Sequence, residues 1–156
     1  MTSNTSVTVQ THYLYPSAIF ASREPFLVTT ILGSCIAVCL FDPYVSIGGI
    51  NHFMLPLWNG QGLASPKFGN IAITKLMSKM CNLGCKKENL VAKVFGGAML
   101  MQTQNSQLNI GRRNIEIARE VLNEENIPII TSNLGGNQGR KILFHTQTGV
   151  VRHKFI

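Results

Sequence analysis

The sequence predicts a single domain of the α+β class, a layered α/β sandwich with a mostly antiparallel mixed sheet. Its 156 residues, 45% hydrophobic and 13% charged, suffice for one substantial core. Short runs rich in Val, Ile, Thr and Phe outnumber the segments with helical periodicity. The strict alternation of strands and helices that a doubly wound parallel sheet requires is missing. We therefore expect one domain over residues 1–156, with the polar stretch 1–12 as a flexible or loosely held segment.

The first half of the chain predicts three strands followed by a loop. Two turn signals, Gly33-Ser34 and Asp42-Pro43, separate the apolar runs. The predicted strands span residues 26–31, 36–41 and 45–54. Glycine, proline and polar residues then predict an exposed loop over 57–66.

The second half predicts two helices among further strands. Ser65 as N-cap and Pro66 at the first helical position open the first helix, and Gly84 ends it. Asn109 caps the second helix, which residues 126–128 close. The remaining predicted strands lie at 90–95, 129–131, 140–145 and 150–155.

Cys35 and His52 are the candidate catalytic residues. Cys35 follows the Gly33-Ser34 turn and precedes an apolar strand, so its thiol is expected at a strand end where backbone N–H groups converge. His52 ends the next strand-like run, and antiparallel pairing of the two strands would bring the imidazole to the thiol. A neighbouring imidazole favours the thiolate, which is the nucleophilic form of cysteine. The residues alone also allow both side chains a purely structural role.

Two threonines, Thr29 and Thr30, lie on the strand that leads into the cysteine turn. The hydroxyl of either could accept a hydrogen bond from the far nitrogen of His52 and so fix the imidazole tautomer. Both are equally well explained as β-branched strand residues. The choice stays open at this point.

The cysteines and the glycine pairs suggest other sites. A four-thiolate zinc site is one alternative use of Cys35, Cys39, Cys81 and Cys85. Their spacing and surroundings are atypical of structural zinc, so we expect free thiols and no metal. Neither Gly96-Gly97 nor Gly135-Gly136 matches a phosphate-binding fingerprint, and tight turns near the active site are expected instead.

Charge and segment composition limit the function classes. The formal net charge of +7 favours either an acidic partner or a solvated basic surface. No basic patch interleaved with aromatic residues supports nucleic-acid binding. The chain begins without the cationic and apolar regions of a signal peptide, and its apolar runs fall far short of the ~20 residues that span a bilayer. We expect a cytoplasmic protein that is not an integral membrane protein.

Five blocks of sequence follow one another in a distinctive order. They are Thr29 with LGSC at 32–35, GINHFMLP at 49–56, AKVFGGA at 92–98, NIGRRN at 109–114 and GGNQGR at 135–140. The match runs from about residue 27 to residue 151, which is nearly the whole chain. In these blocks the chain resembles the CheD family of chemoreceptor glutamine deamidases.

The resemblance implies a fold similar to the deamidase domain of cytotoxic necrotizing factor toxins and a Cys-His-Thr catalytic trio. Carried over by position, Cys35 is the nucleophile, His52 the base and Thr29 the orienting residue, with Thr30 as the alternative if the register is shifted by one. The implied reaction converts specific glutamine side chains of chemoreceptors to glutamate through a cysteine thioester, in chemotaxis adaptation, with no cofactor. The implied partners are chemoreceptor cytoplasmic domains, whose methylation region is an acidic helical bundle, and a CheC-type phosphatase of the response regulator.

Two residues depart from the family pattern. Asn133 stands where an Asp commonly precedes the Gly-Gly turn, and Ser17 follows Tyr15-Pro16 where a Gly is usual. Neither belongs to the trio. A second function also stays open, that of a non-catalytic binding module that docks the CheC-type phosphatase.

Overall fold

The computed structural model describes residues 8–100 and 109–156 and has an α+β architecture. Its strands in these residues are β1 (Gln10–Tyr13), β2 (Ile19–Ser22), β3 (Phe26–Leu32), β4 (Ile36–Asp42), β5 (Ile47–Asn51), β6 (Val91–Gly96), β7 (Ile129–Leu134), β8 (Arg140–His145) and β9 (Val151–Phe155). Its helices are α1 (Gly69–Asn82) and α2 (Ile110–Glu124), with a short 3-10 helix at Lys87–Asn89. Neither α1 nor α2 is long and apolar enough to cross a membrane.

The described strands form two sheets, where the sequence predicted one. The four-stranded sheet has the order β1-β3-β8-β9, and the five-stranded sheet has the order β2-β5-β4-β6-β7. Both are mixed and mostly antiparallel, as predicted, with parallel pairing only between β1 and β3 and between β6 and β7 among the described strands. The prediction of a single sheet was wrong because β3 and β4, adjacent in sequence, belong to different sheets. The turn at 33–35 carries the chain from one sheet to the other.

The central strand β4 separates two apolar cores. Ile36, Val38 and Leu40 pack toward the helices, in a core that includes residues of α1 and α2. Ala37 and Cys39 alternate with them and pack between the two sheets. The order of layers is therefore four-stranded sheet, five-stranded sheet, helices. Burial of β4 on both faces explains its unbroken apolar sequence.

The predicted helix signals were right for α2 and partly wrong for α1. The side chain of Asn109 caps α2 by accepting a hydrogen bond from the backbone N of Arg112 at 3.1 Å. Helix α1 begins at Gly69 rather than at the predicted Pro66, and its N-cap makes no side-chain hydrogen bond. Ser65 instead closes a turn, in which its carbonyl accepts from the N–H of Phe68 at 3.2 Å. The end of α1 agrees with the prediction, since Gly84 follows with a φ of +109°.

The strand predictions hold where apolar runs are bounded by turn signals. Five predicted strands coincide closely with β3, β4, β6, β8 and β9, the predicted strand at 129–131 is the first half of β7, and the predicted strand at 45–54 is shortened to β5. Strands β1 and β2 were not predicted, because they are short and β1 is largely polar. Strand β1 includes residues 10–12 of the segment expected to be loosely held, while residues 1–7 of that segment lie outside the described residues.

Candidate active site

Cys35 lies on the turn that joins the two sheets, and backbone hydrogen bonds hold this turn in place. The N–H of Gly97 donates to the carbonyl of Cys35, and the N–H of Ala98 donates to the carbonyl of Gly33, both at 2.9 Å. Gly96 has a φ of +113°, and a Cβ atom there would lie 2.1 Å from the carbonyl oxygen of Cys35. The cysteine turn therefore packs directly against the backbone of the glycine pair, and a side chain at position 96 would prevent this close approach.

The pairing of β4 with the chain after β5 brings His52 close to Cys35. Ile36 and Phe53 form an antiparallel bridge with reciprocal backbone hydrogen bonds of 3.1 and 2.9 Å. This register places His52 opposite Ala37, and side-chain alternation directs Cys35, Ala37 and His52 to the same face, toward the four-stranded sheet. Cys35 and His52 are thus diagonal neighbours, about 7–8 Å apart between Cα atoms, a separation that side chains span.

The imidazole of His52 is oriented by Thr30. The hydroxyl of Thr30 lies 2.7 Å from Nδ1 of His52 and donates to the carbonyl of Leu14 at 2.8 Å. A carbonyl only accepts, so the single hydroxyl proton points to Leu14 and the oxygen accepts from Nδ1–H of His52. In neutral His52 the lone pair is then on Nε2. That nitrogen is buried and has no hydrogen-bond partner within the described part of the chain.

Thr29 lies on the opposite side of β3. Thr30 is fully buried between the sheets, whereas Thr29 is half-buried and lines a shallow depression on the outer side together with Tyr13, Ile31 and Lys141. The structure therefore brings the alternative residue Thr30 to His52, and it does not bring Thr29 there. The six-residue spacing before Cys35 pointed to Thr29, but alternation along the strand puts the inward hydroxyl one residue later.

Burial favours the neutral forms of both Cys35 and His52. It lowers the pKa of His52 from 6.5 to about 4. It also raises the pKa of the Cys35 thiol above its ordinary value of 9.0, although the backbone N–H of Cys35 opposes the rise. At neutral pH the resting site therefore holds a thiol and an imidazole rather than a thiolate and an imidazolium.

Asn114 ties the two halves of the site together, and sequence reasoning missed its role. Its side chain is fully buried at the start of α2, and Nδ2 donates to the carbonyl of Ser34 at 2.9 Å and to that of Met54 at 3.0 Å. Ser34 precedes Cys35, and Met54 follows His52 by two residues. A polar residue on the otherwise apolar stripe of α2 was the signal that could have revealed it.

The second glycine pair supports the first. The N–H of Gly135 donates to the carbonyl of Gly96 at 2.8 Å, and the N–H of Met99 donates to that of Gly136 at 2.8 Å. Both pairs thus lie beside the cysteine turn, as predicted, but Gly96 ends strand β6 and Gly135 directly follows β7, so the pairs are strand ends rather than the predicted tight turns. The buried guanidinium of Arg140 donates in turn to the carbonyl of Gly135.

The two departures from the family pattern have definite places beside the site. Ser17 adopts a φ of +69°, a left-handed conformation in which glycine is favoured, and its N–H donates to the carbonyl of His52 at 2.8 Å. The side chain and carbonyl of Asn133 both accept from Arg140. Because Asn133 is neutral, the buried Arg140 has no carboxylate there, and burial lowers its pKa.

The four thiols do not converge on one site. Cys39 is buried between the sheets, whereas Cys85 belongs to the core between the five-stranded sheet and the helices. Cys81 is exposed on α1, and all four cysteines are free. Within residues 8–100 and 109–156, no group of three or more His, Cys, Asp or Glu side chains could hold a metal ion.

Comparison with known proteins agrees with the resemblance in the sequence. A family model described as CheD chemotactic sensory transduction matches residues 54–155. The probable chemoreceptor glutamine deamidase CheD of Trichlorobacter lovleyi is 50% identical over 143 residues, which cover 92% of this chain and 89% of that protein. A protein of the same description from Sulfurimonas denitrificans is 47% identical over 146 residues, covering 92% and 93%. Another, from Rhodospirillum rubrum, is 39% identical over 139 residues, covering 89% and 78%. The match to the family model, the identities and the large share of each protein that they cover establish that the chain belongs to the CheD family.

Proposed function

We propose that this chain is a protein-glutamine deamidase that acts in the cytoplasm on the cytoplasmic domains of chemoreceptors. One observation carries the proposal: Thr30 fixes His52 in the tautomer whose Nε2 can accept a proton, on the same face as Cys35. The names of the CheD relatives supply the substrate class. We assign Cys35 as nucleophile, His52 as base and Thr30, rather than Thr29, as the orienting residue.

The first half of the reaction forms a thioester. Because the resting pair is neutral, the thiol proton of Cys35 passes to Nε2 of His52 as Sγ attacks the amide carbon of the substrate glutamine. The resulting imidazolium keeps its Nδ1–H hydrogen bond to Thr30 and gives the Nε2 proton to the amide nitrogen. The carbon–nitrogen bond then breaks, ammonia leaves, and the acyl group remains on sulfur.

The second half restores the enzyme. Nε2 of His52 takes a proton from a water molecule, which attacks the thioester carbon and displaces the Cys35 sulfur. The imidazolium returns its proton to that sulfur, and glutamate is released. The negative oxygen of each tetrahedral intermediate needs a nearby donor. We assign the backbone N–H of Cys35 to this role, because it already lies close enough to its own thiol to lower the thiol pKa.

The proposal is tested by incubating the protein with recombinant chemoreceptor cytoplasmic fragments and following glutamine-to-glutamate conversion by peptide mass spectrometry. Cys35→Ala and His52→Ala are expected to abolish conversion. Cys81→Ala is the matched control, because Cys81 is an exposed thiol on α1, and it should leave conversion unchanged. Conversion that persists in Cys35→Ala would overturn the assigned chemistry. A Cys35→Ala protein that still binds a CheC-type phosphatase and supports full adaptation would favour the binding-module function.

A further inference from the structure

The four-stranded sheet has an outer face on which no described helix or strand packs. Both helices cover the other sheet, and the register of the four strands turns alternate side chains outward. This outer face carries Tyr13, Ile31, Leu143, Lys141, Arg152 and Lys154. Ile31 is 45% exposed and Tyr13 is 42% exposed, which leaves apolar area in contact with solvent. Three shallow depressions, of about 200, 280 and 340 Å³, lie along it.

The charge on this face has a single sign. Lys141, Arg152 and Lys154 project from it, and none of the three forms an ion pair within the described residues. Strands β1, β3, β8 and β9 contain no Asp or Glu. By contrast, the layer of helices carries acidic side chains, with Glu116, Glu120 and Glu124 in α2. The positive charges of the outer face are thus not balanced by carboxylates of its own strands, and this face is where an acidic partner is attracted most strongly.

A row of side chains on the outer face lies at the end of the four-stranded sheet from which the cysteine turn leaves, on the opposite side of that sheet from His52. Ile31 pairs with Lys141, and Lys141 pairs with Lys154, so the three residues form a row across β3, β8 and β9. Only Leu32 and the Gly33-Ser34 turn separate Ile31 from Cys35. Neighbouring strands lie about 4.8 Å apart, so the row extends about 10 Å sideways from β3. A polypeptide whose glutamine lies at Cys35 would reach this row by passing around the end of β3.

We propose that the outer face is an extended docking surface for acidic stretches of the polypeptide substrate that flank the target glutamine. This inference rests on the proposed function and deepens it. The mixture of apolar side chains with cations suits an amphipathic helix whose polar side is acidic. Exposed charge pairs are individually weak, and three of them together correspond to about a tenfold effect on binding.

A charge-matched pair of variants tests the docking surface on a recombinant chemoreceptor cytoplasmic fragment. The test variant neutralises the outer face with K141Q, R152Q and K154Q. The control variant makes the same change of charge on the layer of helices with K75Q, K79Q and R119Q, all of which are exposed. The test variant is expected to raise KM about tenfold with little change in kcat, and to weaken the salt dependence of kcat/KM. The control should stay within about twofold of the parent protein in both parameters.

Several results would overturn the docking surface. An equal rise of KM in both variants would leave only a general charge effect, and a fall in kcat without a rise in KM would place the cations in the chemistry. If the test variant loses binding to phosphatidylglycerol vesicles, or loses a dimer seen by size-exclusion chromatography, with the fragment KM unchanged, the face belongs to a lipid surface or to a second copy. Thermal unfolding checks that both variants are folded.

A binding measurement separates this inference from the proposed function. The Cys35→Ala protein is titrated with the fluorescently labelled receptor fragment, with and without the three outer-face substitutions. Weaker binding caused by those substitutions supports the docking surface even if the parent protein converts no glutamine, an outcome that would refute the deamidase alone. Conversion with an unchanged KM would refute the docking surface and leave the deamidase standing.

Discussion

Replacing Thr30 by valine isolates the hydroxyl that contacts His52, the proposed base. Valine keeps the β-branched shape that suits strand β3 but can neither donate nor accept a hydrogen bond. The hydroxyl makes two buried contacts, 2.7 Å to Nδ1 of His52 and 2.8 Å to the carbonyl of Leu14. In the variant, Nδ1 of His52 and the carbonyl of Leu14 both lose their hydrogen bond to residue 30. The substitution itself adds no charge and little volume.

Loss of the two hydrogen bonds in Thr30→Val is expected to lower both the free energy of unfolding and kcat. An unsatisfied buried polar group costs about 1–3 kcal/mol, so Nδ1–H of His52 and the carbonyl of Leu14 together predict a loss of about 2–6 kcal/mol in the free energy of unfolding. Most domains retain their fold after such a loss. For activity, neutral His52 no longer prefers the tautomer with the lone pair on Nε2. We expect kcat to fall about 100-fold, at the lower end of the contribution of a general base.

The assay measures glutamine conversion by mass spectrometry and stability by urea unfolding. Thr29→Val is the matched control, since Thr29 occupies the same strand but faces the outer side. It should change the free energy of unfolding by less than about 0.5 kcal/mol and conversion by less than about twofold. Thr30→Ser keeps the hydroxyl and should recover most of the activity. A larger loss of activity in Thr29→Val than in Thr30→Val would refute the assignment of Thr30, rather than Thr29, as the residue that orients His52.

Three further changes probe the packing and protonation of the site. Asn114→Ala leaves two loop carbonyls without their donor, so we expect a loss of about 2–6 kcal/mol in the free energy of unfolding, measured with urea, and a lower kcat; an unchanged kcat would reduce Asn114 to a purely structural role. Gly96→Ala would place a Cβ 2.1 Å from the carbonyl oxygen of Cys35 and should abolish conversion, whereas Gly136→Ala meets nothing within 4 Å and should cost only about 1–2 kcal/mol for its positive φ. Comparable losses in the two glycine variants would contradict the close approach. Because the pKa of His52 is about 4 when folded and 6.5 when unfolded, the unfolded state binds more protons between these pH values, and the free energy of unfolding should fall by about 3 kcal/mol as pH drops from 6.5 to 4. His52→Gln should remove that part of the pH dependence, and an identical slope in both proteins would show that His52 is not the group responsible.

The elements that the sequence predicted correctly are those whose signals are local. Strand β4 is an apolar run between two turns, and the cap of α2 needs only the side chain of Asn109, which accepts a hydrogen bond from the backbone N–H three residues later. The division into two sheets depends on which strands pair, and pairing is decided by contacts distant in sequence. Ser65 and Pro66 do form ordered local structure, but this structure is a turn that precedes α1 rather than the first turn of the helix.

The same distinction applies to the site. Cys35 directly precedes β4 and His52 directly follows β5, so antiparallel pairing of these two strands alone makes their proximity predictable. The choice between Thr29 and Thr30 depends on which face of β3 meets the other sheet, and a strand with Thr at both positions does not reveal it. The polar position of Asn114 on the apolar stripe of α2 is visible in the sequence, but its hydrogen-bond partner, the carbonyl of Ser34 about 80 residues earlier, is not.

The neutral hydroxyl of Thr30 has a chemical consequence that a carboxylate in its place would not have. A carboxylate beside Nδ1 would stabilise the imidazolium and raise the pKa of His52, whereas burial beside a hydroxyl keeps that pKa at about 4. In the proposed reaction His52 is therefore a weak base toward the thiol of Cys35, but the imidazolium that forms during attack is a correspondingly strong acid. An amide nitrogen leaves only when protonated, so strong acidity aids the step that expels ammonia. The arrangement thus favours collapse of the tetrahedral intermediate toward the thioester at the expense of easy thiolate formation, which suits an enzyme that cleaves an amide.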